Sequence, residues 1–572
     1  MASTEKDIAR DMGSDIPYPS EKEPETSHTP RDVADGHGNS DQESLDQEAQ
    51  AGVKGVQAAA AVWSKSHLIL AYVIIWFIYF VTSIQEVVIR SLNPYVTSAF
   101  MLHSLTAATS IMANIIGGLS KIPLAKILDS WGRPQGMSLM LVIWVVGFIM
   151  MAACDNVQTY AAAQVFSSVG HLRIEKPSPH VVVCNLAIHN HNLDRRTNLP
   201  ECPRRPRLAM GIWNIHHFCS DRGGSSVYSV LLESEKGQKM GLLAPSRGPL
   251  TLSTIKQYCI DVDLIGIILL AGGMALFLLP FSLWSYQKDQ WRSAMIICMI
   301  IFGGLLLIVF AIYEKFWAPV TFIPFNLLMD RTVFFGGLMF IFEFMNSMIW
   351  GSYFSSMLQV VWGLDVTEAS YVSAIYRVGS CLFCLLVGFL IRWTGRFKWL
   401  AVYFSFPLMI LGVGLMIKFR QPDAGIGYIC MTQIFVAFAG GTTVICGELA
   451  MMAPSDHQHI AVILAMLNLF GSIGSAIGST VSAAIWTSEF PKALAKYVPP
   501  EVNVVKVYSD ITAQLSYEWG SPARNAIARA YGDAQQYMLI TSVCMLVVAW
   551  GCSAMWRDIK IKDLKQVKGR VI

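Results

Sequence analysis

Four ionisable side chains stand where such groups are expensive. Glu343, Arg377 and Glu448 lie well inside long apolar runs, and Glu86 lies near the outer end of the first such run. A charge at the centre of a membrane helix costs about 2.5–3.5 kcal/mol on insertion scales, so intramembrane charges face a partner or a wet cavity. A carboxyl group whose surroundings alternate between wet and dry changes its proton affinity. That is the chemistry of a proton carrier, and it makes these four residues proton-coupling candidates. Glu343 and Arg377 fall on consecutive runs at comparable depth, so the other use open to them is an ion pair that fixes two helices. Glu448 precedes His457 and His459, and histidine titrates near neutral pH; a solvated loop accounts for those two histidines equally well. No nucleophile–base–acid constellation stands out, and no Gly-x-x-x-x-Gly-Lys loop is present to bind ATP. The chain therefore reads as no enzyme, with no cofactor.

Eleven apolar runs must position these groups, at about 67–88, 104–127, 137–154, 264–284, 294–313, 333–354, 370–391, 399–418, 426–452, 460–486 and 537–556. A hydrocarbon core about 30 Å thick takes about 20 residues of helix, and in lipid each backbone N–H and C=O must find its partner within the segment. The expected fold is thus an all-α polytopic membrane protein. The composition agrees: 15% of the 572 residues are charged, against about 25% in soluble domains. A net charge of +3 gives no reason to expect a nucleic-acid partner. The twelve cysteines are scattered, several inside apolar runs (Cys298, Cys381, Cys384, Cys430, Cys446, Cys552). They read as small buried hydrophobes rather than a disulfide framework.

Residues 1–60 are polar, rich in Asp, Glu, Ser and Pro, with no apolar core and no small-residue cleavage site. They read as a disordered cytosolic tail, which leaves the first span to act as the insertion signal. Basic residues near helix ends favour the cytosol. Lys121, Lys126 and Arg133 flank the second link; Arg392, Arg396 and Lys398 follow the run at 370–391; the tail 557–572 carries Arg557, Lys560, Lys562, Lys565, Lys568 and Arg570. Placing all three in the cytosol gives one topology, with both termini inside.

That topology requires an odd number of crossings between Asn156 and Asp263. Only Val157–Gly170 looks like the start of one. Residues 171–241 then turn polar, with His171, Arg173, Glu175, Lys176, Arg195, Arg196, Arg204, Arg205 and Arg207 where spans belong. Six of the twelve histidines and Cys184, Cys202 and Cys219 fall here. No short Cys-x-x-Cys or His-x-x-x-His pair frames a zinc loop, and no metal site is expected. The expectation is an aberrant segment, read out of frame or through an unspliced intron, that replaces three helices and leaves the chain a poor transporter. The domain reading is a tail over 1–60, an incomplete N-terminal bundle over 61–170, the aberrant segment over 171–241, and central and C-terminal spans over 242–486. An extracytosolic loop over 487–536, a last span over 537–556 and a basic tail over 557–572 complete it.

Two links resemble each other. Ile127-Leu-Asp-Ser-Trp-Gly-Arg-Pro134 follows the second run, and Leu390-Ile-Arg-Trp-Thr-Gly-Arg-Phe397 follows the seventh. Gly permits the tight reversal, and the flanking charges can pair with neighbouring helix ends and lock one conformation. Asp129-x-x-Gly132-Arg133 resembles the loop signature of the major facilitator superfamily, and its partial recurrence at Gly395-Arg396 suits a transporter of two pseudo-repeated bundles with the solute between them. Asn93-Pro-Tyr-Val-Thr-Ser98, Gly440-Gly-Thr-Thr-Val-Ile-Cys-Gly-Glu-Leu-Ala450 and His457-Gln-His-Ile through Leu469-Phe-Gly-Ser-Ile-Gly474 to Ala484-Ile-Trp486 resemble elements of fungal siderophore-iron transporters. So do Gly520-Ser-Pro-Ala-Arg-Asn-Ala-Ile-Ala-Arg-Ala-Tyr531, Met555-Trp-Arg-Asp558 and Lys565-Gln-Val-Lys-Gly569. The likeness covers about 65–170 and 230–572 and fails across 171–229. The family has fourteen spans, which equals the eleven here plus three.

The resemblance implies proton-coupled uptake, by symport, of ferric siderophore chelates by a multi-pass protein of the plasma membrane or an endosomal vesicle, expected as a monomer with no metal ligands of its own. A large polar chelate needs a roomy cavity with aromatic and hydrogen-bonding walls. Phe344, Asn346, Trp350 and Tyr353, with Tyr371 and Tyr376 on the next run, are the cavity candidates, and helix packing is the other use for such aromatics. The long outer loop offers Tyr508, Tyr517, Arg524 and Tyr531 to the arriving chelate. Gly471, Gly474 and Gly478 read as a close helix-packing seam, and Asp263 as a structural cap at a helix N-terminus. The rival readings are a proton-driven multidrug exporter of the same superfamily, and a chelate receptor or inactive product that does not transport.

Overall fold

The structure is a computed structural model and describes residues 89, 93–100, 103, 106–131, 133–170, 252–261, 263–284, 287–319, 328–454 and 460–560. Its first helices are α1 (Thr106–Trp131), α2 (Arg133–Ala152), α3 (Val157–Gly170) and α4 (Leu252–Asp261). Next come α5 (Leu264–Leu278, continued by Pro280–Leu283), α6 (Ala294–Phe316), α7 (Arg331–Gly351), α8 (Phe354–Trp362) and α9 (Val366–Thr394). A π-helical turn (Leu400–Ser405) leads into α10 (Phe406–Phe419), followed by α11 (Ile426–Met452), α12 (Ile460–Tyr497), α13 (Val504–Ser509), α14 (Ile511–Leu515) and α15 (Pro522–Ala554). Among the described residues eight helices are long and apolar enough to cross a membrane: Leu264–Leu283, Ala294–Phe316, Arg331–Trp362, Val366–Thr394, Leu400–Phe419, Ile426–Met452, Ile463–Tyr497 and Pro522–Ala554. These match the last eight expected runs. The expected runs at 104–127 and 137–154 are helical as α1 and α2, and the run at 67–88 lies outside the described residues, as do the aberrant segment, the tail at 1–60 and residues 561–572.

Polar caps mark where apolar runs meet water. Asp330 accepts from Thr332 and Val333 N–H at the start of α7. Asp365 and Glu368 form a capping box at the start of α9. Asp263 accepts from Gly266 N–H at the start of α5, the structural role expected of it. The outward faces of α6 and α9 stay apolar: Ile301, Phe302, Ile308, Leu386 and Phe389 are exposed, which suits lipid rather than water.

The expected glycine seam is a close helix contact. A Cβ on Gly474 would sit 2.2 Å from the Ile341 carbonyl oxygen of α7, and one on Gly478 would sit 2.5 Å from that of Met345. On its other face α12 meets α1, where Ile111, Ile115 and Leu119 pack with Leu469 and Ala476. Antiparallel pairing of α1 with α12 and close packing of α9 with α11 bring the ends of α1, α9 and α11 to one end of the bundle. The 392–398 link and the residues after α15 meet there: Arg396 Nη1 lies 3.4 Å from Asp558 Oδ2, and Lys398 Nζ donates to the Trp556 carbonyl across 2.6 Å.

Two boundaries differ from expectation. The run at 333–354 bends at Ser352 and Tyr353 and continues as α8 to Trp362. The non-helical link after α12 is shorter than 487–536, because α12 runs on to Tyr497 and α15 starts at Pro522 behind the Ser521 cap. These extensions stay helical since Phe490 and Leu494 of α12 and Ile527 and Tyr531 of α15 are buried in one core.

Candidate functional site

Glu343 and Trp350 are seven residues apart on α7, so they share one helical face. Both are buried. Glu343 Oε2 has no hydrogen-bond partner, and Glu343 enters no ion pair among the described residues. The alternative of a Glu343–Arg377 pair is not realised: the ion pairs among the described residues are Arg396–Asp558, Lys492–Glu489 and Arg557–Asp330. Tyr376 of α9 lies within electrostatic reach of both Glu343 and Arg377. Its ring meets Trp350 edge-on at 5.5 Å. A Cβ on Gly440 would lie 2.9 Å from the Tyr376 hydroxyl, and one on Gly441 would lie 2.5 Å from the Ser380 carbonyl oxygen. The Gly440-Gly441 pair of the motif thus lets α11 close on α9 around Tyr376. Ser405, in the π-helical turn before α10, donates to the Ala439 carbonyl and pairs with Thr443 of the same motif.

Asn346 is buried and its Oδ1 accepts from Ser542 of α15. Phe344 is half-buried against Gly471 of the seam. Tyr371 and Arg377 are half-buried on α9, and Glu448 is half-buried on α11 within electrostatic reach of Cys384. Tyr353 lies elsewhere. It is 1% exposed and stacks face to face on Trp486, ring centroids 4.0 Å apart. It therefore packs the outer core instead of standing beside Trp350. Glu86 and Gly132 lie outside the described residues; Asp129 and Arg133 occupy the last turn of α1 and the start of α2. Gly395 caps α9 with φ 73°, the left-handed turn its position needs.

The outer-loop candidates divide. Tyr508 and Tyr517 are half-buried at the edge of the outer core. Arg524 and Tyr531 are buried, and their polar atoms are taken. The Arg524 guanidinium donates to the carbonyls of Val360 (2.8 Å), Gln359 (2.9 Å) and Gln514 (2.6 Å). Tyr531 donates to Gln514 Oε1 across 2.8 Å. In this conformation the two residues clasp the loop to the end of α8 and present nothing to an incoming solute. The exposed aromatic ring here is Trp519, 69% exposed and lying over Gly363.

Sequence reasoning missed contacts between segments far apart in the chain. Tyr95 donates to Gln359 Oε1, and Ser98 Oγ accepts from Ile511 N–H at 3.0 Å. The Asn93–Ser98 motif is therefore tied to α8 through Gln359 and to α14 through Ile511. Toward the other end, Lys121 on α1 donates to Asn468 on α12. Motif resemblance marked residues 93–98 without saying what they touch. Lys121 counted only as a basic flank.

Residues 253–511 match the family model described as the fungal trichothecene efflux pump. MFS siderochrome iron transporter 1 of Ajellomyces capsulatus is 51% identical over 550 residues, covering 93% of this chain and 93% of that one. Siderophore iron transporter mirB of Emericella nidulans is 36% identical over 589 residues, covering 99% and 96%. Among solved structures, a peptide transporter POT in complex with sulfate is 13% identical with a TM-score of 0.48, covering 88% of this chain and 99% of that one.

Proposed function

Because this chain belongs to the fungal siderochrome and siderophore iron transporters of the major facilitator superfamily, we propose that it carries ferric siderophore chelates across a membrane by symport with protons. The observation that carries the reading is 51% identity over 93% of both chains to a transporter of that name. The site supports the coupling half of the proposal. Glu343 is a buried acid without a hydrogen bond or an ion pair among the described residues, and it lies within electrostatic reach of Tyr376 on α9. A carboxyl that is dry in one conformation and wet in the other takes up its proton on one side and releases it on the other. Trp350, on the same face of α7, and Tyr376, edge-on to it, are the aromatic walls of the reading; Asn346, Phe344, Tyr371, Arg377 and Glu448 remain its other candidates. The chelated iron stays inside its organic ligand, so the protein needs no metal ligands.

The Arg524 clasp and the Tyr95 and Ser98 contacts support an outer gate that must open for loading. The Gly395 turn, with the Arg396–Asp558 pair, supports an inner latch, and the basic residues around it favour a cytosolic position. The compartment fits the plasma membrane or a vesicle, with one chain as the working unit.

A second reading is proton-driven export of an organic solute, favoured by the match of residues 253–511 to the efflux-pump model. Direction of movement separates the two. Cells without other siderophore carriers gain radiolabelled ferric hydroxamate chelate on the first reading, and lose a preloaded solute on the second.

A further inference from the structure

Arg420 follows α10 and is 0% exposed. Guanidinium keeps its charge, and a buried charge is costly unless it is paired. Its Nη1 donates to the Trp350 carbonyl at 2.7 Å and to Gln535 Oε1 at 3.1 Å. Its Cζ lies 4.1 Å from the Phe354 ring centroid and 5.3 Å from that of Trp350. The cation thus sits at the carbonyl ends of α7 and α10, where helix dipoles favour it. These contacts use one nitrogen and one pair of ring faces. Nε and Nη2 have no partner.

The neighbouring groups do not supply the missing charge. Arg420 enters no ion pair among the described residues, and Glu343, on the Trp350 face of α7, is seven residues away along the helix, about 10 Å. The unmet groups beside it are donors as well: Trp350 Nε1 and Gln535 Nε2, with Asn346 Nδ2 one turn deeper. Gln535 cannot be turned to help, because its oxygen already faces Nη1. Arg420 Nε and Nη2, Trp350 Nε1 and Gln535 Nε2 are thus four unmet N–H groups on three side chains in contact through Arg420, one of them cationic. Indole and guanidinium nitrogens carry no lone pair to offer a cation or a donor.

We propose that the enclosure formed by Arg420, Trp350, Phe354 and Gln535 binds a small monovalent anion, which serves as the counter-charge that pins α7, α10 and α15 together at their outer ends. Complete burial of Arg420 selects a halide-sized ion over an arm of the cargo. The inference does not rest on the transport reading, because its readout needs neither cargo nor a proton gradient.

Chloride is the probe. The purified full-length chain in detergent is melted over a chloride series, with gluconate holding the ionic strength constant. The expected result is a saturable rise in apparent melting temperature with chloride. Arg420→Gln should lose that rise. Since Arg420→Gln can also fail to fold, Gln535→Glu is the second variant: a carboxylate at the position of the amide oxygen pairs with Arg420 and replaces the ion. It should melt as high in gluconate as the wild type does in chloride, with no response to chloride. Identical wild-type melting in the two salts would overturn the proposal. So would a Gln535→Glu chain as chloride-dependent as the wild type, or stabilisation produced by a ferric chelate in place of chloride.

Discussion

Lys121 Nζ on α1 donates to Asn468 Oδ1 on α12 across 3.1 Å, and one turn away Gly118 abuts Ser472. The bond spans the seam where α1 meets α12. Bundles that rock against each other must loosen it in one state. Asn468→Asp turns the amide acceptor into a carboxylate and the bond into an ion pair, which strengthens the state in which the two residues touch. The expected outcome is a higher melting temperature together with uptake several-fold slower. Asn468→Leu should lower the melting temperature. Faster uptake by Asn468→Asp would contradict this role.

Glu343→Gln keeps the size and the burial of the side chain and removes the proton. Proton-driven accumulation should fall to the level of cells treated with an uncoupler. Exchange of labelled for unlabelled chelate across the membrane, which needs no net proton movement, should survive. Equal accumulation by the variant and the wild type would remove Glu343 from the coupling path.

The Arg524 clasp predicts a stability effect rather than a binding effect. Hydrogen bonds to a charged group contribute about 1.5–3 kcal/mol each, and leaving buried carbonyls unmet costs a similar amount. Arg524→Met frees three carbonyls, so folded protein at the membrane should drop sharply. The molecules that remain should show an unchanged half-saturation for chelate. A selective loss of affinity at normal abundance would assign Arg524 to the cargo instead.

His103, just before α1, meets Tyr353 edge-on at 6.3 Å and is fully buried. Burial pushes its pKa from 6.5 down to about 4, against a smaller upward pull from the Pro94 carbonyl and Asp510. The folded chain therefore keeps this imidazole neutral where the unfolded chain protonates it. The stability it permits is fully present above about pH 6.5 and drains away by about 3 kcal/mol as pH falls toward 4. His103→Gln should flatten the melting temperature across that window. An unchanged slope would mean that another group sets it.

Much of this was legible in the sequence, and the reason is lipid. A membrane span must be apolar and must satisfy its own backbone, so the eight described spans coincide with runs visible in the composition alone. Asp263 and the Gly474–Gly478 seam were readable for the same kind of local reason. Side-chain partners across helices were not. Glu343 and Arg377 lie at matching depth, yet depth says nothing of the angle each takes around its helix, and the two do not pair. Arg420 stands one residue past an apolar run beside Gln421 and Pro422, where a cation looks like ordinary loop. Arg524 and Tyr531 sit in a stretch polar enough to pass for a solvated loop, and only the packing of α15 on α8 and α12 buries them.

Residues 171–229 carry clustered arginines and histidines where the topology calls for crossings, and they lie outside the described residues. Exchanging them for three apolar helices should raise uptake well above that of the chain as it stands. Sequencing the transcript tests the same idea at its source, since a clean message encoding His171–Ser229 would contradict an unspliced or frame-shifted origin.

The most direct test of the central claim is accumulation of radiolabelled ferric hydroxamate chelate in cells that lack other siderophore carriers. This chain and the version with three restored helices should be expressed side by side. The account predicts accumulation above that of cells with neither, largest in the restored form and returned to background by a proton uncoupler. No accumulation by either form, or accumulation that ignores the uncoupler, would contradict it.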